Sequence, residues 1–174
     1  MVHPGIDGCA QLRAQGVRPE HIASLEIKVH SLVLELCGKK EPADGLQAKF
    51  SIYHGCAAGL TFGCAGEDEF SDAVVTRADM VALRRKVVAT VDDSIDEAAA
   101  DITAVMQDGS RVHVHVEHAI GSLQNPMTDA QLEAKFHGLS DAVIGAARTK
   151  DLIQAAWRLG AAHTVQALIA LSHA

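Results

Sequence analysis

The sequence predicts an α+β fold: a mainly antiparallel sheet of about four strands covered by helices, followed by C-terminal helices. Strand patterns occur near residues 25–29 and again between residues 87 and 116, whereas the rest of the chain has helical spacing. After residue 116 only helical patterns follow. This segregation of strands and helices is typical of α+β proteins. At 174 residues the chain is long enough to bury a core without disulfides.

The first two elements are a helix and a strand. The helix spans about residues 3–15, because Pro4 suits a first helical turn and Gly16 ends the apolar pattern. A half-buried strand follows, in which apolar and polar residues alternate. Its apolar residues are Leu25, Ile27 and Val29. The next apolar residues are one register out of phase, which predicts a bulge or a strand end near Ser31. They are Leu32, Leu34 and Leu36.

A single long helix is predicted over about residues 44–64. Asp44 and Gln47 have the spacing of a capping box at its start. One face carries an apolar stripe at spacings typical of a helix. The stripe consists of Leu46, Phe50, Tyr53, Ala57, Leu60 and Cys64. Another face carries a glycine at every fourth position: Gly55, Gly59 and Gly63. Because each glycine costs roughly 1 kcal/mol relative to alanine inside a helix, this face predicts a closely packed neighbouring backbone.

A second capping box at residues 76–79 predicts another helix, which passes into a strand at residues 87–91. Two alternating runs, at residues 102–106 and 111–116, flank the dipeptide Asp108-Gly109. An Asp-Gly pair in this position predicts a tight β-hairpin.

Helices complete the chain. Residues 128–131 form a third capping box and start the first of them. Two shorter helices are predicted at residues 151–159 and from about His163 to Leu171.

Charge and hydropathy exclude several classes of protein. A net charge of −7 argues against a broad nucleic-acid surface. The sequence has no run of 18 apolar residues and no signal-peptide pattern at its N-terminus, so we expect a cytoplasmic protein without a membrane span. We expect its four cysteines to be reduced thiols. They are Cys9, Cys37, Cys56 and Cys64.

Polar side chains on the first and the long helix could carry chemistry. Lys49 and His54 flank the apolar stripe near Ser51, and a lysine and a histidine beside a cleft could bind a carboxylate or move a proton. The alternative is a solvated Lys49 and a hydrogen-bonded core His54. On the first helix, His3 and Asp7 are four residues apart and could form a pair.

A second candidate group lies on the last predicted strand. Alternation places His113, His115 and Glu117 on one face, where two imidazoles and a carboxylate could hold a divalent metal. The alternative is a polar strand face turned to water. The sequence offers no fourth ligand at a supporting spacing, which favours the alternative.

Four ordered segments resemble the MmgE/PrpD family. Residues 3–10 (HPGIDGCA) resemble the family's THPAIDAA segment, and residues 22–29 (IASLEIKV) resemble its I-x-x-V-x-V strand. Residues 48–54 (AKFSIYH) are similar to its AKFS helix start. Residues 125–136, with NPMT followed by LEAKF, are similar to its P-L-S…L…KF pattern.

The resemblance implies part of an enzyme that acts on a small polycarboxylic acid. The family includes 2-methylcitrate dehydratase, cis-aconitate decarboxylase and iminodisuccinate epimerase, which combine a large helical domain with a smaller α+β lid and need no metal or other cofactor. This chain would be the C-terminal part. Residues 1–127 would form the lid, and residues 128–174 would be helices that pack on the helical domain. The expected partners are that domain, the substrate and a second copy in a homodimer.

The resemblance also implies which residues lie at the active site. The residue three positions after the serine of the AKFS segment belongs to that site and is a tyrosine in some members. Here it is His54, for which we expect an acid/base or carboxylate-binding role. Lys49, Ser51, His3 and Asp7 are implied as residues near the substrate.

Two other interpretations remain open. The chain could be a non-catalytic folding or dimerisation module that assembles through its helical glycines and its terminal helices. It could also be a metal-binding β protein that uses His113 and His115. If it belongs to a lyase, we expect no activity from the chain alone, because a chain of net charge −7 supplies few cations for a polycarboxylate.

Overall fold

The structure is a computed structural model that describes residues 1–161 and 164–173. The chain divides into two compact units, Met1–Pro126 and Met127–Ala174. The first unit contains four strands, six α-helices and a short 3₁₀ helix (Pro19–His21) among its described residues. The second contains three α-helices and a short 3₁₀ helix (Leu159–Ala161) in the part that the structure describes. Within the described residues, no helix combines the length and apolar character that a transmembrane segment requires.

A four-stranded sheet organises the first unit. Its strands are β1 (Ile22–Val29), β2 (Val87–Val91), β3 (Ala100–Met106) and β4 (Arg111–Val116). They lie in the order β2-β1-β3-β4. The β1–β2 pair is parallel, and the β1–β3 and β3–β4 pairs are antiparallel. The predicted α+β class with a mainly antiparallel sheet is therefore confirmed. The predicted hairpin joins β3 to β4, and Gly109 adopts the positive φ of 83° that its turn needs.

Six helices belong to the same unit. They are α1 (His3–Ala14), α2 (Ser31–Cys37), α3 (Gly45–Ala48), α4 (Ile52–Phe62), α5 (Asp72–Val75) and α6 (Ala78–Arg85). Helices α2 to α6 all lie in the connection between β1 and β2, because two parallel neighbours need a crossover of this kind.

Helix α1 packs tightly between the sheet and α4. A Cβ atom on Gly8 would lie 2.3 Å from Ile102 Cδ1 on β3, and a Cβ atom on Gly59 would lie 2.5 Å from the backbone oxygen of Ile6. The close backbone approach predicted from the helical glycines is confirmed at Gly59, which faces the backbone of Ile6, whereas Gly55 faces the side chain of Ile6. Gly63 has a different role, because it ends α4 with a φ of 81°.

Two sequence predictions in the first unit differ from the structure. The single helix over residues 44–64 is wrong: α3 ends at Ala48 and α4 begins at Ile52, because Ser51 is extended and forms an isolated antiparallel bridge with Gly38. Leu46 and Phe50 consequently lie on the surface, 72% and 56% exposed, instead of in the core.

Of the two alternatives predicted near Ser31, a bulge or a strand end, the structure shows the strand end. Strand β1 ends at Val29, and the leucines after it form helix α2.

The capping box predicted at residues 76–79 is also wrong. The Thr76 hydroxyl donates to Asp72 instead, and α6 starts after Arg77.

Three helices form the second unit: α7 (Asp129–Ile144), α8 (Ala146–Trp157) and α9 (Gln166–Ser172). The capping box of Thr128 and Gln131 at the start of α7 is confirmed. Helix α8 starts earlier than predicted, directly after Gly145, whose φ is 82°. The predicted start of the last helix at His163 lies outside the described residues.

Candidate functional site

Ser51 shapes the start of α4. Its hydroxyl accepts the backbone N–H of His54 at 3.1 Å and donates to the backbone carbonyl of Lys39 at 2.5 Å. An N-cap serine satisfies one of the free N–H groups at a helix start, and here it also ties α4 to the segment after α2. Because both hydroxyl functions are used and Ser51 is fully buried, its observed role is to position His54.

The imidazole of His54 is buried with both nitrogens hydrogen-bonded. Nε2 lies 2.8 Å from the backbone carbonyl of Glu69, and since a carbonyl only accepts, Nε2 carries the proton. Nδ1 lies 3.2 Å from Nη1 of Arg84 and accepts from that guanidinium. The ring is therefore neutral. Burial lowers the pKa of His54, and the charge of Arg84 lowers it further, against an opposite effect of the Glu69 bond.

Arg84 is the buried cation of this cluster, with 3% of its surface exposed. Its Nη1 also donates to the backbone carbonyl of Val75 at 2.7 Å. Its Nε, by contrast, has no hydrogen-bond partner among the described residues. Burial lowers the pKa of Arg84, and the nearby Glu41 and Arg85 act in opposite directions.

Sequence reasoning missed Arg84, although a signal was present. Met80, Leu83 and Val87 define the apolar face of α6 and the strand after it, and Arg84 shares that face at a spacing of four from Met80. A charged residue at such a spacing requires internal partners, because burying a charge without them is costly.

An open cleft of about 340 Å³ lies beside Arg84. Its lining residues are Lys40, Glu41, Tyr53, Arg84, Arg85 and Val87 through Ala89. The ammonium of Lys40 lies 5.8 Å from the centre of the Tyr53 ring. Nε of Arg85 lies 3.0 Å from Oε1 of Glu41. The cleft thus carries three cationic side chains and one carboxylate, which favours an anionic ligand.

A family model decides the chain's relationship to known proteins. The model that describes the MmgE/PrpD C-terminal domain matches residues 1–159. The chain belongs to the MmgE/PrpD family. No curated protein matches it in a direct sequence comparison.

The MmgE/PrpD match includes every residue that sequence analysis placed near a substrate. It contains the whole first unit and ends two residues after α8, so that α9 lies beyond it. The His54–Arg84 cluster and its cleft therefore belong to the MmgE/PrpD domain.

Lys49 lies in the break between α3 and α4. Its Nζ is 3.0 Å from both carboxylate oxygens of Glu67, and both side chains are largely exposed. An exposed pair of this kind contributes about 0–1 kcal/mol, so the pair leaves Lys49 easily available to an anionic ligand. The structure brings Lys49 and Ser51 together with His54 in one stretch of backbone.

His3 and Asp7 lie at the start of α1 in this MmgE/PrpD domain. Asp7 Oδ2 accepts the backbone N–H of Ile120 at 2.6 Å. Burial raises the pKa of Asp7, while the Ile120 bond and the charge of His3 lower it. The hydrogen bond of Asp7 ties it to the segment after β4, whereas those of the His54 ring lead to α6 and to the loop before α5.

The two histidines of β4 share one acceptor. His113 Nε2 and His115 Nδ1 each lie 3.0 Å from Oδ1 of Asp101 on β3, and both imidazoles are exposed. Over residues 1–161 and 164–173, no group of three or more His, Cys, Asp or Glu side chains is arranged to hold a metal ion. The geometry is that of a polar strand face with cross-strand hydrogen bonds.

Proposed function

We propose that this chain is the C-terminal part of an MmgE/PrpD lyase or isomerase that acts on a small polycarboxylic acid, as 2-methylcitrate dehydratase does. The observation that carries this proposal is the family match over residues 1–159. The family is broadly one of lyases of the dehydratase kind. On this proposal the chain works in the cytoplasm, in a homodimer, and only together with an N-terminal helical domain of the same family.

The chemistry of such a reaction explains why a second domain is needed. Removing water or CO₂ from a polycarboxylate requires a base or an acid at the reacting carbon and cations for the carboxylates. The cleft beside Arg84 supplies cations. His54 does not line this cleft itself but is hydrogen-bonded to Arg84, which does.

His54 is proposed as the acid/base or carboxylate-binding residue. In the structure, however, both ring nitrogens of His54 are already hydrogen-bonded. To exchange a proton with a substrate, the ring must leave either the Glu69 carbonyl or the Arg84 guanidinium. Lys49, Ser51, His3 and Asp7 are proposed as residues near the substrate, Ser51 through its hold on the start of α4.

The test is reconstitution. The 174-residue chain is assayed for dehydration of 2-methylcitrate and decarboxylation of cis-aconitate, alone and mixed with the helical domain of an MmgE/PrpD enzyme. We expect turnover only in the mixture, and a loss of at least tenfold in kcat/KM with His54→Ala, as for removal of an acid/base group. Turnover by the chain alone would contradict the need for a second domain. An unchanged kcat/KM would contradict the role of His54.

A second candidate function is that of a non-catalytic assembly module. The second unit favours it, because α7 and α8 form an apolar groove of about 300 Å³ lined mainly by Leu132, Phe136, Leu152, Ile153 and Trp157. The helical glycines do not support this alternative, since Gly55 and Gly59 face α1 of the same chain. Light scattering that shows a monomer, together with no binding to a helical domain, would exclude it.

A further inference from the structure

We propose that the cleft lined by Lys40, Arg84 and Arg85 binds a carboxylate group of a small organic acid, with Arg84 as its buried anchor. The proposal deepens the proposed function and rests on it for the class of acid. Anion binding can be measured without enzymatic turnover. The proposed carboxylate site and the proposed lyase function can therefore be disproved independently of each other.

The first argument is the orphaned donor. Arg84 is almost completely buried, yet its Nε has no hydrogen-bond partner among the described residues. Buried polar groups are nearly always hydrogen-bonded, and an exception calls for a missing partner. The Nε atom has less than 1 Å² of accessible surface, so a carboxylate in the cleft would reach this N–H only after the Arg84 side chain moves toward the cleft that it lines.

The second argument is that Arg84 has no carboxylate bonded to it in the described parts of the chain. None of the ion pairs found in the described parts of the chain involves Arg84. The two acceptors that Arg84 Nη1 bonds to, the Val75 carbonyl and His54 Nδ1, are both neutral. Glu41 is the nearby carboxylate whose charge acts on Arg84, but its hydrogen bond goes to Arg85. A buried guanidinium without a directly bonded anion is unfavourable, and its fork of N–H groups matches a carboxylate or a phosphate.

The third argument is the composition of the cleft wall. Lys40 and Arg85 add two exposed cations to Arg84, in a chain whose net charge is −7. Glu41 is the carboxylate that lines the same cleft, and it accepts a hydrogen bond from Arg85. The volume of about 340 Å³ lies at the lower end of the range for small-molecule sites, roughly 300–1,000 Å³. The volume and charge of the cleft therefore suit a small anion better than a large one.

The test follows the arginine side chains directly. The full 174-residue chain is labelled with ¹⁵N at the arginine Nε atoms and titrated with citrate, then with sulfate at equal ionic strength. We expect citrate to shift the Arg84 Nε–H resonance in a saturable way and sulfate to do so at least tenfold more weakly. A citrate titration that leaves this resonance in place, or equal affinities for the two anions, overturns the proposal.

Variants at exposed positions keep the test independent of folding. Lys40→Gln should weaken citrate binding about tenfold, the size of one charge-assisted hydrogen bond. Glu41→Gln should strengthen it, because a competing carboxylate is removed. Arg111→Gln is the matched control, since Arg111 pairs with Glu26 on the sheet, and should leave the affinity unchanged. Equal affinity in the Lys40 variant and the wild type, or equal weakening in the Arg111 control, would count against this site.

Discussion

The guanidinium of Arg84 and the imidazole of His54 form a buried hydrogen bond, 3.2 Å between Nη1 and Nδ1. This bond keeps His54 in one neutral tautomer, because Nδ1 must accept while Nε2 donates to Glu69. It also joins two elements of the long crossover, α4 and α6. The candidate site is therefore part of the packing of the first unit, and changes at it should alter stability as well as any activity.

We expect His54→Ala to destabilise the first unit by about 2–4 kcal/mol, because it leaves the Glu69 carbonyl and an Arg84 N–H unsatisfied and opens a cavity. Urea unfolding followed by circular dichroism measures the change. Lys49→Ala is the control, because it removes only the exposed ion pair with Glu67. It should change the free energy of unfolding by less than about 1 kcal/mol. Equal effects of the two substitutions would contradict the buried network.

We expect the stability of the first unit to fall as the pH is lowered through the ordinary pKa of histidine, 6.5. The folded state lowers the pKa of His54, so the unfolded chain binds the proton more readily below that value. The stabilisation that comes from neutral His54 is fully present above pH 6.5. It is lost as the pH falls toward the lower pKa that His54 has in the folded state. His54→Gln should remove this part of the slope. Identical pH profiles for the variant and the wild type would contradict it.

We expect Gly59→Ala to destabilise the chain by about 1–3 kcal/mol, because the new Cβ would meet the backbone oxygen of Ile6 at 2.5 Å. Gly138→Ala is the matched control in α7, where nothing lies within 4 Å of the added Cβ. It should stabilise its helix by up to about 1 kcal/mol. Thermal unfolding monitored by circular dichroism compares the two. Stabilisation by both substitutions would show that α1 and α4 can move apart.

We expect the second unit of the isolated chain to bind apolar dyes. Trp157, the single tryptophan, is 55% exposed and lines the apolar groove between α7 and α8. Deleting residues 147–174 should therefore reduce the fluorescence of a bound naphthalene-sulfonate dye at least twofold. A partner that covers the groove should shift Trp157 emission to shorter wavelength. Unchanged dye binding after the deletion would contradict an exposed apolar surface.

Local patterns predicted much of the fold. Alternation identified the strands of the hairpin, and the Asp-Gly turn between them was confirmed with Gly109 at a positive φ. The glycines of α4 predicted a close neighbour, which the structure shows to be α1. In these cases the residues that form the pattern lie close together in the sequence, so a local pattern is enough for the prediction.

The break before α4 could not be predicted in this way. The apolar spacing continues without interruption from Leu46 to Cys64, yet the bridge between Ser51 and Gly38 interrupts the helix. That bridge depends on a residue 13 positions away, which periodicity cannot detect. The helical spacing of Arg84 signalled its burial, but no local pattern could identify His54 as its partner, since the two residues are 30 positions apart in the chain.

The crossover between β1 and β2 has a practical consequence for engineering. Every residue that lines the Arg84 cleft, from Lys40 to Ala89, lies in this one continuous stretch or in the strand that ends it. The β3–β4 hairpin and the second unit contribute none of the lining residues identified among the described parts of the chain. If the proposed carboxylate binds there, ligand preference could be exchanged between homologous domains by swapping the single segment bounded by β1 and β2, with the remaining scaffold left intact.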